Sequence, residues 1–153
     1  MTTYVDSSAL VPVYVPERFS KAARRALRGS SQVPFTSLHG LEVPNAFALL
    51  LGRGLISDDE SRAIRTQLQE DIDAQRLVPL ALDWDSVFAS ACELSATYTV
   101  KLLTRSLDLL HVAAAHAAHC RVFVSADDRQ LAVAKASGLM VVDIKRSVRS
   151  AKQ

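Results

Sequence analysis

The chain has 153 residues, 49% hydrophobic and 22% charged, with a formal net charge of +2. That balance describes one globular domain with a core of its own, needing neither disulfides nor a structural metal. No apolar run is long enough to span a bilayer, and the start MTTYVDSS has neither a basic n-region nor a cleavable apolar stretch, so a cytoplasmic protein is the simplest expectation. Cys92 and Cys120 lie far apart and in no metal-ligand spacing, and both read as reduced packing residues.

A short strand at TTYVD leads into SSALVPVYV and then the basic segment ERFSKAARRALR. A second strand, QVPFTS, precedes the apolar segment LEVPNAFALLLGRG, whose helix Gly52 and Gly54 close. Pro44 brings no amide donor, which predicts a kink or a late helix start and places Glu42 at or near that start. Ser57, Asp58 and Asp59 cap the next helix, in which Ala63, Ile64, Leu68 and Ile72 form the inward stripe. A strand at LVPLAL follows, then a helix beginning at Asp83, a short loop at TVKLLT, and the apolar helix SLDLLHVAAAHAAH. The strand RVFVS, the helix DDRQLAVAKASG and the strand LMVVDI complete the pattern. Strands alternating with helices imply right-handed βαβ units, hence a three-layer α/β/α sandwich around a central, mainly parallel sheet. The expected division is one domain over residues 1–145 and a basic tail over 146–153.

In a parallel sheet, ligands bind at the carboxyl ends of the strands. Asp6 and Asp127 each lie just past such an end, Glu42 is expected on the same edge, and Asp108 sits in the helix that feeds the strand leading to Asp127. An unpaired ionised carboxylate at Asp108, among Leu and Ala, would cost several kcal/mol or stay protonated. Two carboxylates about 4 Å apart repel by roughly 4 kcal/mol at an effective dielectric near 20. Four converging acids therefore call for a hard divalent cation, Mg²⁺ or Mn²⁺ rather than zinc. Each acid has its own simpler account. Asp6 and Asp127 could cap the helices that follow them, Glu42 could match a helix dipole, and Asp108 could pair with Arg105. A shared cation explains all four with one object.

The neighbours have readings too. The hydroxyls of Ser8 and Ser125 could bond a metal water or a carboxylate. Asp128 reads as an exposed first-turn residue with a minor part in metal binding, and His111 as a packed or hydrogen-bonded histidine. Arg18, Lys21, Arg25 and Arg28, spaced by three and four residues, form one helical face: either solvated surface or a contact for a nucleic-acid backbone.

Taken in order, YVDSSAL, the acid at Glu42, SLDLLHVAAA and FVSADDRQLAVAKASGL resemble the PIN-domain ribonucleases, and among them the VapC toxins of bacterial toxin–antitoxin pairs. The resemblance covers essentially the whole chain. It implies that Asp6, Glu42, Asp108 and Asp127 are an acidic tetrad for one or two Mg²⁺ or Mn²⁺ ions, with Ser8 and Ser125 as hydroxyl-bearing companions. It also implies an endoribonuclease that leaves 5′-phosphate and 3′-hydroxyl ends, with structured RNAs such as tRNA loops as substrates. Its partners would be a second copy of itself and a VapB-like antitoxin laid over the active site. Two other readings stand beside it: a non-catalytic module using the same fold, with AFALLLGRGL as a docking groove, and a phosphotransfer domain with Asp6 as nucleophile. The second lacks the further acid such sites want two residues on, where Ser8 stands.

Overall fold

Tyr4 and Phe123 face one side of the sheet and Val5 and Val124 the other, because successive side chains on a strand alternate. This alternation divides the interior into two cores. The computed structural model describes residues 2–146, so the tail expected over 146–153 lies outside the described residues except for Arg146. In chain order the elements are β1 (Thr3–Val5), α1 (Ser7–Tyr14), α2 (Ser20–Arg28), β2 (Val33–Phe35), α3 (Ser37–Gly52), α4 (Asp58–Asp73) and β3 (Leu77–Pro79). They continue as α5 (Trp84–Leu94), α6 (Val100–Leu102), α7 (Ser106–Ala117), β4 (Val122–Ser125), α8 (Asp128–Ala136) and β5 (Met140–Asp143). The expected three-layer α/β/α architecture with parallel strands is the one found. One core packs α5, α7 and α8 against Tyr4 and Phe123, whose rings stack at 5.6 Å. The other packs α1 to α4 against Val5 and Val124.

The pairing of the strands refines the expected sheet. β1 pairs with β4 and β4 with β5, while β2 pairs with β3 in a separate ladder. β1 and β2 lie side by side without joining their ladders. The His39 side chain spans the gap. Its Nδ1 accepts the Thr36 amide at 3.0 Å, which leaves the proton on Nε2 to be donated to the Val5 carbonyl at 2.9 Å. Burial, then the neighbouring His111, push the His39 pKa down to about 3, so the bridge is a neutral imidazole.

Four expectations are corrected. The helix carrying Glu42 neither starts late nor leaves Glu42 at its start: it begins at Ser37, so Glu42 lies in the second turn. The backbone bond from Thr36 to His39 fixes that start upstream, and Pro44 falls inside a helix already formed. The loop expected at TVKLLT is mostly helix, because a π turn at Ser95–Thr99 carries α5 into α6. Leu103 then stops it in the left-handed region, at φ 53°. On α4 the inward stripe is Ser61, Ile64 and Leu68, with Ile72 half-buried and Ala63 exposed. Cys120 is buried as expected, but Cys92 is exposed rather than packed. Among the described residues, no helix is long and apolar enough to cross a membrane.

Candidate active site

The parallel pairing of β1 with β4 brings their carboxyl ends to one edge of the sheet, and with them the amino ends of α1, α7 and α8. Each of those helix starts carries an acid. Asp6 is the N-cap of α1, Asp108 lies in the first turn of α7, and Asp127 is the N-cap of α8. Unsatisfied amides and the helix dipole favour negative charge at such places. Glu42, Asp108 and Asp127 line one cavity of about 420 Å³, together with Ser8, Arg105, His111 and Gln130.

Asp6 stands behind that wall, fully buried. Ser8 Oγ donates to its Oδ1 at 2.8 Å, Ser125 Oγ to its Oδ2 at 2.9 Å, and the Ala9 amide to Oδ1 at 3.0 Å. Each hydroxyl in turn accepts a backbone amide from the turn between β4 and α8, Ala126 to Ser8 at 2.9 Å and Asp127 to Ser125 at 2.8 Å. These amides orient both hydroxyl protons toward the carboxylate. Burial raises the Asp6 pKa, and the charge of His111, the two hydroxyls and the Ala9 amide draw it back, to about 6.

Asp108 and Asp127 share a cation from the chain itself. Arg105 donates its backbone amide and its Nε to Asp108 Oδ2, each at 3.1 Å, and its Nη2 reaches Asp127 Oδ2 at 2.9 Å. Gln130 Nε2 adds a bond to Asp108 Oδ1 at 3.2 Å. Asp127 Oδ1 caps α8 by accepting the Arg129 and Gln130 amides.

Glu42 is held from a third direction. His111 Nε2 lies 2.6 Å from Glu42 Oε2, and His111 Nδ1 lies 3.0 Å from the Tyr4 hydroxyl. Burial raises the Tyr4 pKa, so its phenol keeps its proton, and His111 Nε2 donates to the Glu42 carboxylate. Burial alone would raise the Glu42 carboxyl. The His111 hydrogen bond and charge more than offset it, and the Glu42 pKa is lowered.

The other expected residues fall elsewhere. Asp128 is 79% exposed at its side chain, with Lys145 Nζ 2.9 Å from Oδ1, and it lies outside the cavity lining. Lys21, Arg25 and Arg28 are exposed on α2, and none lines the cavity. Arg18 precedes α2 and sits over the Phe19 ring, 5.5 Å from its centroid. Phe19 lines an adjoining groove of about 750 Å³ with Val11, Leu41, Leu49 and Leu107. That groove meets the cavity at Ser7, Ser8, Glu42 and Leu107. Ala46 and Leu49, from the segment read as a docking groove, are part of its wall.

The chemistry of this donor set suits Mg²⁺ or Mn²⁺, since the converging groups are carboxylate oxygens. Gln130 Oε1, buried and without a hydrogen-bond partner, is a further oxygen on a residue that lines the cavity. As they stand, no three His, Cys, Asp or Glu side chains among the described residues form a ready ion site. The acids are held by Arg105, His111 and the two serines instead. Sequence reasoning named the acids but missed Gln130, the bond from Arg105 to Asp127, and the link from His111 to Glu42. The last had a signal: His111 follows Asp108 by three residues and so shares its helix face. Gln130 had none.

The PIN domain family model matches residues 3–136. Ribonuclease VapC3 from Pyrobaculum aerophilum is 31% identical over 97 residues, which is 63% of this chain and 74% of that protein. The crystal structure of FitAcB from Neisseria gonorrhoeae superposes with a TM-score of 0.62 at 14% identity, covering 94% of this chain and 99% of that one. This chain therefore belongs to the PIN domain family and is a relative of the VapC ribonucleases.

Proposed function

We propose that this protein is a divalent-cation-dependent endoribonuclease, the toxin of a toxin–antitoxin pair. The observation that carries the reading is the convergence of Glu42, Asp108 and Asp127 on one cavity, with Asp6 wired to it through Ser8 and Ser125. A cation bound there would activate water and offset the charge that gathers on the scissile phosphate. Asp108 and Asp127 would hold it, with Asp6 and Glu42 completing the set. His111 orients Glu42, and the two serines fix Asp6. Leu107, 51% exposed where the cavity meets the apolar groove, offers a surface against which an unpaired base can lie.

The relative named Ribonuclease VapC3 supports RNA as the substrate. The apolar groove supports a partner segment laid beside the site, as the resemblance to VapC toxins implies. A phosphotransfer role for Asp6 is disfavoured, because Ser8 stands where such sites want a second acid two residues on. The test uses purified protein freed of any partner, a structured RNA such as tRNA, and Mn²⁺ or Mg²⁺. Cleavage leaving 5′-phosphate and 3′-hydroxyl ends, lost in Asp108→Asn and in EDTA, is the expected result. Equal outcomes for wild type and Asp108→Asn would sink it and favour a non-catalytic module.

A further inference from the structure

Arg105 does more than pair with a neighbour on its own helix. Its guanidinium reaches acids at the starts of two different helices, Asp108 on α7 and Asp127 on α8. We propose that Arg105 is a built-in counter-cation, occupying the carboxylate oxygens a divalent ion would need and exchanging with that ion. The proposal rests on the cation reading above.

Oxygen by oxygen, the partners favour it. Asp127 Oδ1 is committed to the Arg129 and Gln130 amides at the α8 cap, which cannot leave without unwinding the helix. Its Oδ2 is met by Arg105 Nη2 at 2.9 Å. Asp108 Oδ2 takes the Arg105 amide and Nε, and its Oδ1 takes Gln130 Nε2 at 3.2 Å and Arg105 Nη2 at 3.4 Å. With the guanidinium turned away, Asp127 Oδ2 and a lone pair on each Asp108 oxygen come free together. The backbone amide bond still holds Asp108 in place.

Arg105 is also the partner able to move. Its side chain is 61% exposed, whereas Gln130 is 6% exposed. A guanidinium is weakly hydrated and bridges carboxylates readily, yet it brings one positive charge against a divalent ion's two. It therefore spares two neighbouring carboxylates their mutual repulsion without blocking a stronger cation.

The sign of the effect separates this role from others. Removing a competitor tightens ion binding, whereas removing a residue that merely positions Asp108 loosens it. A residue that only touches RNA leaves ion binding alone. Mn²⁺ is titrated calorimetrically into wild type, Arg105→Gln, Arg105→Lys and Asp127→Asn, each stripped with EDTA and dialysed. Arg105→Gln is expected to bind Mn²⁺ about tenfold more tightly than wild type, Arg105→Lys to lie between them, and Asp127→Asn to bind more weakly. Thermal unfolding gives a second readout. Arg105→Gln should melt below wild type without Mn²⁺, and saturating Mn²⁺ should close that gap. Unchanged or weaker Mn²⁺ binding by Arg105→Gln, beside normal binding by wild type, overturns the counter-cation role alone. A melting deficit that persists in Mn²⁺ does the same. No binding by any of the proteins overturns the cation reading and this proposal with it.

Discussion

His111 Nε2 stands 2.6 Å from Glu42 Oε2, a contact between helices α7 and α3 that ties the two halves of the site together. The histidine is 1% exposed and is itself held by Tyr4, so its ring has little freedom to turn. Losing such an orienting partner commonly costs 10- to 100-fold in activity or metal affinity. His111→Ala is expected to lower metal-dependent RNA cleavage by about that range. His111→Gln keeps an N–H donor and should recover part of it. Initial rates at saturating Mn²⁺ check the order wild type, then Gln, then Ala.

Asp6 makes stability depend on pH with an unusual sign. A carboxyl whose pKa rises on folding, from 3.8 to about 6, keeps its proton in the folded state while the unfolded chain has lost it. Stability of the metal-free protein is therefore expected to fall between about pH 4 and pH 6, by on the order of 2–3 kcal/mol, and to level off above. Glu42, whose pKa is lowered, acts oppositely and contributes stability that is lost as the pH falls below the ordinary carboxylate range. Urea melts in EDTA across pH 3–8 read both trends, and Asp6→Asn should flatten the limb between pH 4 and 6.

Two adjacent aspartates should behave differently. Asp127→Asn removes an oxygen from the cavity and a partner of Arg105, and is expected to lower cleavage by at least about 100-fold, the scale of losing a key electrostatic group. Asp128→Asn disturbs a pair between a largely exposed carboxylate and Lys145, outside the cavity, and should change both rate and stability little, within about 1 kcal/mol. Equal losses in the two variants would contradict this assignment.

The basic face of α2 is separable from the chemistry. Replacing Lys21, Arg25 and Arg28 together with Gln is expected to weaken RNA affinity and flatten its salt dependence, by a slope of about 2 if all three meet phosphates. The rate at saturating RNA should hold, because none of the three lines the cavity. Filter binding across a salt series, beside single-turnover rates, tests this. An unchanged salt slope would return the helix to plain solvated surface.

The parallel alternation was legible because it rests on local patterning. Asp6 and Asp127 were legible as strand-end acids, and at Asp127 capping leaves room for a second contact: one oxygen caps α8 while the other meets Arg105 at the cavity. The start of α3 was not legible. It depends on a histidine, His39, doing what Glu or Gln usually does at that position, and on its other nitrogen being used by a strand far away in sequence. Nor did sequence spacing expose Arg105 as a bridge. Its separation from Asp108 suggests a helical pair, while Asp127 comes within reach only once α7 and α8 are packed side by side.

The serine-held carboxylate has a temporal consequence. Asp6 and Ser8 are made more than a hundred residues before the groups that complete their setting, Ser125 and the Ala126 and Asp127 amides. No nascent chain shorter than this can assemble the pocket. Any RNA-cutting activity of this pocket would therefore begin only once the turn between β4 and α8 has been made and folded.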